Sequence, residues 1–151
     1  MSEPPWSDLY ELKLIDGKGL GAIAKKNIKR GTLILKEDPQ ISDDGSTVFG
    51  PKWVKSVWES FKRMDILEQE EYLKLSTHSP GLNLDFVIPC IEKTYGNESP
   101  STRQKILLIL EIFKSNVWDE ESSDNLQKKR LVYIHSSRLN HSCQPKLRML
   151  T

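Results

Sequence analysis

A chain of 151 residues has the length of one domain and is long enough to bury a core of its own. Lys and Arg total 22 against 21 for Asp and Glu, so no net field favours nucleic acid or a membrane surface as a partner. The sequence shows neither a bilayer-length apolar run nor a basic-then-apolar leader, which predicts a protein of the nucleus or cytoplasm that is not secreted.

The first 49 residues are typical of short antiparallel strands behind a loose tail at 1–8. Tyr10, Leu12 and Leu14 share one face of an alternating stretch, and two glycines in the following turn are free to adopt positive φ. In chain order the pattern predicts a strand, a glycine turn, a return strand, a second turn and a third strand: 9–15, 16–19, 20–24, 27–31 and 32–37. We therefore expect a small antiparallel meander that ends at Pro39.

Helical patterns dominate residues 50–130. Pro51 suits the first position of a helix whose apolar stripe is expected to be packed core: Trp53, Val54, Val57, Trp58 and Phe61. Asp65 with Glu68 predicts a capping box that starts a helix over 66–76. Ser101 with Gln104 predicts the same start for a very apolar helix over 105–117.

Three shorter stretches complete the secondary-structure prediction. Residues 84–93 favour a short helix, although Pro89 lies inside it. The acidic run 119–124, followed by Lys128 to Arg130, indicates a solvated loop, with a recognition patch for a basic partner as the alternative. Residues 131–134 are apolar and β-branched, which predicts a short buried strand.

The run Ser-Arg-Leu-Asn-His-Ser-Cys-Gln-Pro at 137–145 follows that strand. It resembles the signature of SET domains, Asn-His-Ser-Cys-x-Pro-Asn, and departs from it at Lys146. The phrases at 16–22 and 26–39 resemble the opening of the same family, in which a glycine turn is followed by Ile-x-x-Gly-x-x-Ile/Leu-x-x-Glu-x-Pro. Taken alone, the glycine turn favours a plain hairpin turn over a ligand contact. It lacks the βαβ setting of a dinucleotide site.

SET domains are S-adenosylmethionine-dependent protein lysine methyltransferases, and the resemblance implies an α+β fold built on a SET-type antiparallel β-fold. A helical insertion divides the domain in the SET-and-MYND group and in fungal relatives, and the layout here is similar. We accordingly expect one partial SET domain over 9–151, with its first strands at 9–49, the insertion at 50–130 and the signature segment at 131–151.

The resemblance also implies where S-adenosylmethionine would bind. In the family the glycine turn and the signature run contact the cofactor, and a Phe-x-x-Asn-x-Phe phrase matches 113–118 here with one aromatic exchanged. Asn116 in that phrase could equally cap the end of its helix. The expected cofactor-binding residues are Gly17, Lys18, Gly19, Leu20, Asn116, Ser137, Leu139, Asn140 and His141.

No catalytic residue is assigned, because the family's closing Gly-Glu-Glu-Leu-x-x-x-Tyr segment is not found in this sequence. That departure predicts weak activity of the chain alone and an unpaired sheet edge that a protein partner could cover. The implied substrate is a lysine of a protein or peptide. The alternatives are a non-catalytic, SET-derived interaction module and, without any resemblance, a small α+β interaction domain.

Cysteine and histidine usage predicts no metal site. Cys90 and Cys143 are too few for a disulfide framework and are expected as reduced thiols. Together with His135 and His141 they are possible zinc ligands, but the sequence contains no Cys-x-x-Cys or His-x-x-x-His pair. Cys143 is better interpreted as a small buried thiol.

Overall fold

The computed structural model of the chain describes residues 8–17, 19–43, 50–77, 81–121 and 128–139. Helices and small antiparallel sheets both occur in them, which confirms the α+β class. The elements in these ranges are β1 (Tyr10–Ile15), β2 (Gly19–Ala24), β3 (Ile41–Asp43), α1 (Pro51–Arg63), α2 (Ile66–Leu73), α3 (Leu84–Tyr95), α4 (Pro100–Asn116), β4 (Trp118–Glu121), β5 (Lys128–Val132) and a 3-10 turn (Ser136–Arg138). The chain divides into two units, 1–37 with 135–151, and 38–134.

The first unit contains a hairpin of β1 and β2, paired antiparallel from Tyr10 opposite Ala24 to Ile15 opposite Gly19. The predicted hairpin is therefore confirmed. The 3-10 turn, which comes from the other end of the sequence, lies against β2. This unit thus joins segments that are more than a hundred residues apart along the chain.

The predicted third strand at 32–37 is wrong, because the chain from Thr32 to Pro39 forms no regular element. A strand exists only where a neighbouring strand takes up its backbone groups, and alternation of Leu33 with Ile34 does not supply one. Leu33 is 62% exposed, so the alternating residues do not bury a common face. The next strand, β3, begins only at Ile41, in the second unit.

Helix α1 provides the central apolar surface of the second unit. Its predicted stripe is buried as expected, with Trp53 meeting Phe113 of α4 edge to face at 6.0 Å between ring centroids. Pro51 occupies the start of the helix, as predicted. The core that forms around this stripe is continuous over α1, α3 and α4.

Local capping signals place two of the other helix starts. The capping box before α2 is confirmed, since Asp65 Oδ1 accepts from the Glu68 N–H at 2.8 Å and Glu68 Oε2 from the Asp65 N–H at 2.9 Å. Helix α4 begins at Pro100, five residues earlier than predicted. Its N-cap is Ser99, whose hydroxyl accepts from the Thr102 N–H at 3.1 Å, and Pro100 follows at the position that helices favour for proline.

Two of the remaining helix predictions differ at their ends. Helix α3 is confirmed in spite of Pro89. Helix α2 stops at Leu73 instead of residue 76. None of the helices in the described ranges is both long and apolar enough to cross a membrane.

The second unit also holds a three-stranded antiparallel sheet in the order β3-β5-β4. The prediction of a solvated loop at 119–124 is wrong for Asp119 to Glu121, which form β4. The reason is cross-strand charge: the register sets Asp119 opposite Arg130 and Glu120 opposite Lys129. The predicted apolar strand is confirmed at Leu131 and Val132, but β5 already begins in the basic run at Lys128.

Candidate functional site

The glycine turn between β1 and β2 has the backbone conformation that the sequence predicts. Gly17 has φ 69° and Gly19 has φ 70°, both in the left-handed region. A Cβ placed on Gly17 would meet no heavy atom within 4 Å. Open space therefore adjoins this backbone, and a ligand can approach its peptide groups directly. Lys18 lies outside the residues that the structure describes.

The signature run begins in the same unit with the 3-10 turn, whose Leu139 N–H closes onto the Ser136 carbonyl at 3.0 Å. This turn lies against β2, the strand that contains Gly19 and Leu20. Ser137 and Leu139 are half-buried there. The 3-10 turn and β2 thus pack together within the first unit. Asn140 and His141 fall beyond the described ranges.

Glu37, which the sequence did not single out for a role, fastens the turn. Its Oε1 accepts from the His135 N–H at 2.8 Å, and its Oε2 accepts from the N–H and the hydroxyl of Ser136 at 3.0 and 3.1 Å. Hydrogen bonds to an ionised carboxylate are the stronger kind, and the first N–H groups of a helical turn have no partner within the turn itself. Glu37 therefore ties the opening phrase to the start of the signature run.

Tyr10 and Arg138 lie near this carboxylate, and both side chains are buried. Burial raises the pKa of the Tyr10 phenol, the negative charge of Glu37 raises it further, and the positive charge of Arg138 opposes the shift. The phenol consequently stays protonated at neutral pH and can act as a hydrogen-bond donor. Arg138 belongs to the described part of the signature, and its burial shows that the turn is packed into the unit.

Asn116 belongs to the second unit and is the last residue of α4. Its Nδ2 donates to the Ile112 carbonyl one turn back and to the Ser76 carbonyl beyond α2, both at 2.8 Å. These bonds tie the last residue of α4 to its own preceding turn and to the segment that follows α2. The sequence left two roles open for Asn116, a cofactor contact and a structural role at the end of its helix. The observed hydrogen bonds are those of the structural role.

Within the described ranges, no group of three or more His, Cys, Asp and Glu side chains is arranged to hold a metal ion. Cys90 is a buried thiol in α3. His135 is half-buried beside the 3-10 turn. The other predicted soft ligands, His141 and Cys143, lie outside the described ranges.

The residues of the candidate site to which the sequence assigned no role are Glu37, Tyr10 and Arg138. Glu37 lies inside the phrase that resembles the SET opening, but nothing in the sequence indicates that its carboxylate binds His135 and Ser136. Comparison of this chain with family models, with curated proteins and with solved structures finds no match.

Proposed function

We propose that this chain carries the cofactor-binding corner of a SET-type protein lysine methyltransferase that uses S-adenosylmethionine. One observation supports this proposal above the others. The Glu37 carboxylate, in the phrase that resembles the SET opening, accepts three hydrogen bonds from His135 and Ser136, which lead into the run that resembles the SET signature. Two segments that the resemblance requires to meet are thereby fastened together across nearly a hundred residues.

The residues present fit the amino-acid end of the cofactor. The turn at Gly17 and Gly19 exposes peptide groups with no Cβ in the way, which suits an ammonium and a carboxylate that must be recognised by backbone. By resemblance, Ser137, Leu139, Asn140 and His141 would hold the rest of the molecule. When bound, the cofactor supplies a methyl group on a positively charged sulfur.

The chain's own task is to orient and to exclude water. A lysine attacks only as the neutral amine, and in-line transfer needs the amine and the methyl group held at near-attack distance in a dry site. A buried phenol with a raised pKa, as at Tyr10, is a poor base at neutral pH. Tyr10 is therefore placed to support the turn and not to remove the proton.

The test is binding of S-adenosylhomocysteine, the demethylated cofactor, measured by calorimetry. Gly17→Ala forces a side chain into the left-handed region at the proposed pocket. Gly31→Ala imposes the same strain at φ 86° in another turn of the first unit, where a Cβ also meets no atom within 4 Å, so it is a matched control.

We expect the wild type and Gly31→Ala to bind with equal affinity and Gly17→Ala to bind about tenfold more weakly, as expected from about 1–2 kcal/mol of backbone strain in the bound turn. Absence of binding by the wild type contradicts the proposal. Equal weakening by the two substitutions contradicts it as well, because strain alone would then account for the loss.

A second candidate is a SET-derived interaction module without catalysis, which is favoured by apolar side chains that the first unit leaves exposed. Among the described residues they are Leu12, Leu14, Ile23 and Leu33. This candidate predicts protein binding that survives Gly17→Ala. The methyltransferase proposal predicts in addition the transfer of methyl groups to lysine residues, which radiolabelled cofactor measures directly.

A further inference from the structure

The outer edge of β1 carries backbone groups that face away from β2. The Lys25 N–H donates to the Leu9 carbonyl at 2.9 Å, so Leu9 turns its backbone groups towards β2. Backbone direction alternates along an antiparallel strand, and Glu11 and Lys13 therefore also face β2. The N–H and C=O groups of Tyr10, Leu12 and Leu14 point to the opposite edge. Within the described ranges β1 pairs with β2 alone.

The side chains of β1 favour pairing of this edge with another strand. Leu12 and Leu14 lie on one face and are 38% and 86% exposed. On the other face Glu11 and Lys13 form an ion pair at 2.6 Å. A two-stranded sheet is marginally stable by itself and an open edge recruits further strands. Charged side chains commonly protect a single edge, but the two central charges of β1 have opposite signs and can therefore be neutralised by a second strand of the same sequence.

We propose that β1 pairs with β1 of a second copy of this chain, antiparallel about a two-fold axis that passes through Leu12. In this arrangement Leu12 lies opposite Leu12 of the other copy, and Tyr10 lies opposite Leu14. Glu11 of each copy then lies opposite Lys13 of the other. The product is one four-stranded antiparallel sheet in the order β2-β1-β1-β2, with a self-complementary contact of the kind that closes a dimer.

Backbone direction and charge together select this register. Only residues whose backbone groups point outward can exchange hydrogen bonds, so the second copy can be shifted along β1 only in steps of two residues. A shift that sets Tyr10 opposite Leu12 places Glu11 against Glu11. The opposite shift, which sets Leu12 opposite Leu14, places Lys13 against Lys13. Like charges directly opposite each other are destabilising, which leaves the register centred on Leu12.

The same geometry places the charged residues at their best distance. Leu12 and its counterpart form a hydrogen-bonded pair, and so do Tyr10 and Leu14. Glu11 and Lys13 consequently form the non-hydrogen-bonded pairs, in which side chains of facing strands approach most closely. Edge-to-edge pairing of single strands is a small interface, so the association should be weak and concentration-dependent. This inference does not depend on the proposed function.

Charge reversal tests the register with the full chain. Glu11→Lys gives two lysines opposite two lysines, and Lys13→Glu gives the corresponding acidic clash. We expect each variant to dimerise at least about tenfold more weakly than the wild type in sedimentation velocity over a concentration series. An equimolar mixture of the two variants should form a heterodimer of wild-type strength, because every Glu and Lys again finds its opposite. The double variant E11K/K13E should restore the homodimer.

Charge reversal at an ion pair outside β1 provides the control. Reversal of Glu71 or Lys74, an ion pair on α2, should leave the dimer unchanged. Amide exchange at Leu12 and Leu14 should slow with protein concentration in the wild type but not in either single variant. A wild-type chain that is monomeric over the whole series overturns the proposal. So does a dimer that persists equally in both single variants, which would place another partner surface at the contact.

Discussion

The Glu37 carboxylate accepts two hydrogen bonds from a single residue, Ser136, which lies 99 positions later in the chain. The bonds come from the backbone N–H at 3.0 Å and from the hydroxyl at 3.1 Å. A third, from the His135 N–H, reaches the other carboxylate oxygen at 2.8 Å. This one side chain therefore determines where the run that resembles a SET signature begins.

Replacement of Glu37 by Gln should release the 3-10 turn. The carboxamide keeps one acceptor oxygen and turns an N–H₂ group towards N–H donors, so at least one bond is lost and a repulsive contact is created. We expect amide exchange to accelerate at His135 and Ser136 and the free energy of unfolding to fall by about 1–3 kcal/mol. Asp38→Asn, which removes the same charge from the exposed neighbouring residue, should change neither. Unaltered exchange in Glu37→Gln would show that the carboxylate does not hold the turn.

High pH should destabilise the second unit through Tyr95. Burial, the charge of Glu59 and a hydrogen bond from the phenol to Glu59 Oε1 at 3.4 Å raise the pKa of Tyr95 to about 12. The folded state therefore retains the proton that the unfolded chain loses near pH 10. The stabilisation is complete below pH 10 and disappears as the pH rises towards 12.

Urea unfolding from about pH 8 to about pH 11.5, a range that spans the pKa of a free tyrosine, measures this effect on the free energy of unfolding. The absorbance of the phenolate reports ionisation independently. Tyr95→Phe should flatten the decline relative to the wild type. Burial also raises the pKa of Tyr72, whose hydroxyl donates to the Ile109 carbonyl at 3.0 Å, so part of the slope should remain in Tyr95→Phe. An identical slope in the wild type and the variant would contradict the assignment.

The ion pair between Asp43 of β3 and Arg130 of β5 should matter far more than those on the surface. Asp43 is 3% exposed and its Oδ2 accepts from Arg130 Nε at 2.9 Å, so Asp43→Asn removes the charge from a hydrogen bond that is largely shielded from water. We expect a loss of about 1.5–3 kcal/mol in the free energy of unfolding, the range for a hydrogen bond to a charged group. Glu71→Gln, which removes the exposed pair with Lys74, should cost less than about 1 kcal/mol. Similar losses in the two variants would show that the buried pair is not a special contribution.

Asn116→Ala separates its two possible roles. Loss of the amide removes the bonds to the Ile112 and Ser76 carbonyls, which should cost about 1–2 kcal/mol of stability. Because the amide is engaged in this way, we expect the affinity for S-adenosylhomocysteine to stay at the wild-type value. Calorimetry under conditions where both proteins are folded gives the answer, and a selective loss of affinity would restore the cofactor contact that the resemblance implies.

Local signals in the sequence predicted much of the secondary structure. The apolar spacing from Trp53 to Phe61, the proline at 51 and the Asp65–Glu68 box each act within a few residues, so α1 and α2 could be located before any coordinates. The glycines at 17 and 19 predicted a turn with positive φ, because the freedom of glycine to adopt that conformation is also a local property. The start of α4 predicted from Ser101 is wrong, because Ser99 lies two residues earlier, is followed by proline and is the better N-cap.

Elements that depend on a distant partner were the ones missed. Thr32 to Glu37 alternates like a strand yet pairs with no strand in the described part of the chain. Asp119 to Glu121 is polar like a loop yet pairs with β5. The amino-acid sequence by itself determined the helices, the hairpin turn and the buried stripe of α1, because those follow from neighbours along the chain. Only the tertiary structure decided that Glu37 meets Ser136 and that Asp43 meets Arg130, because a carboxylate carries no local mark of which remote donor it will bind.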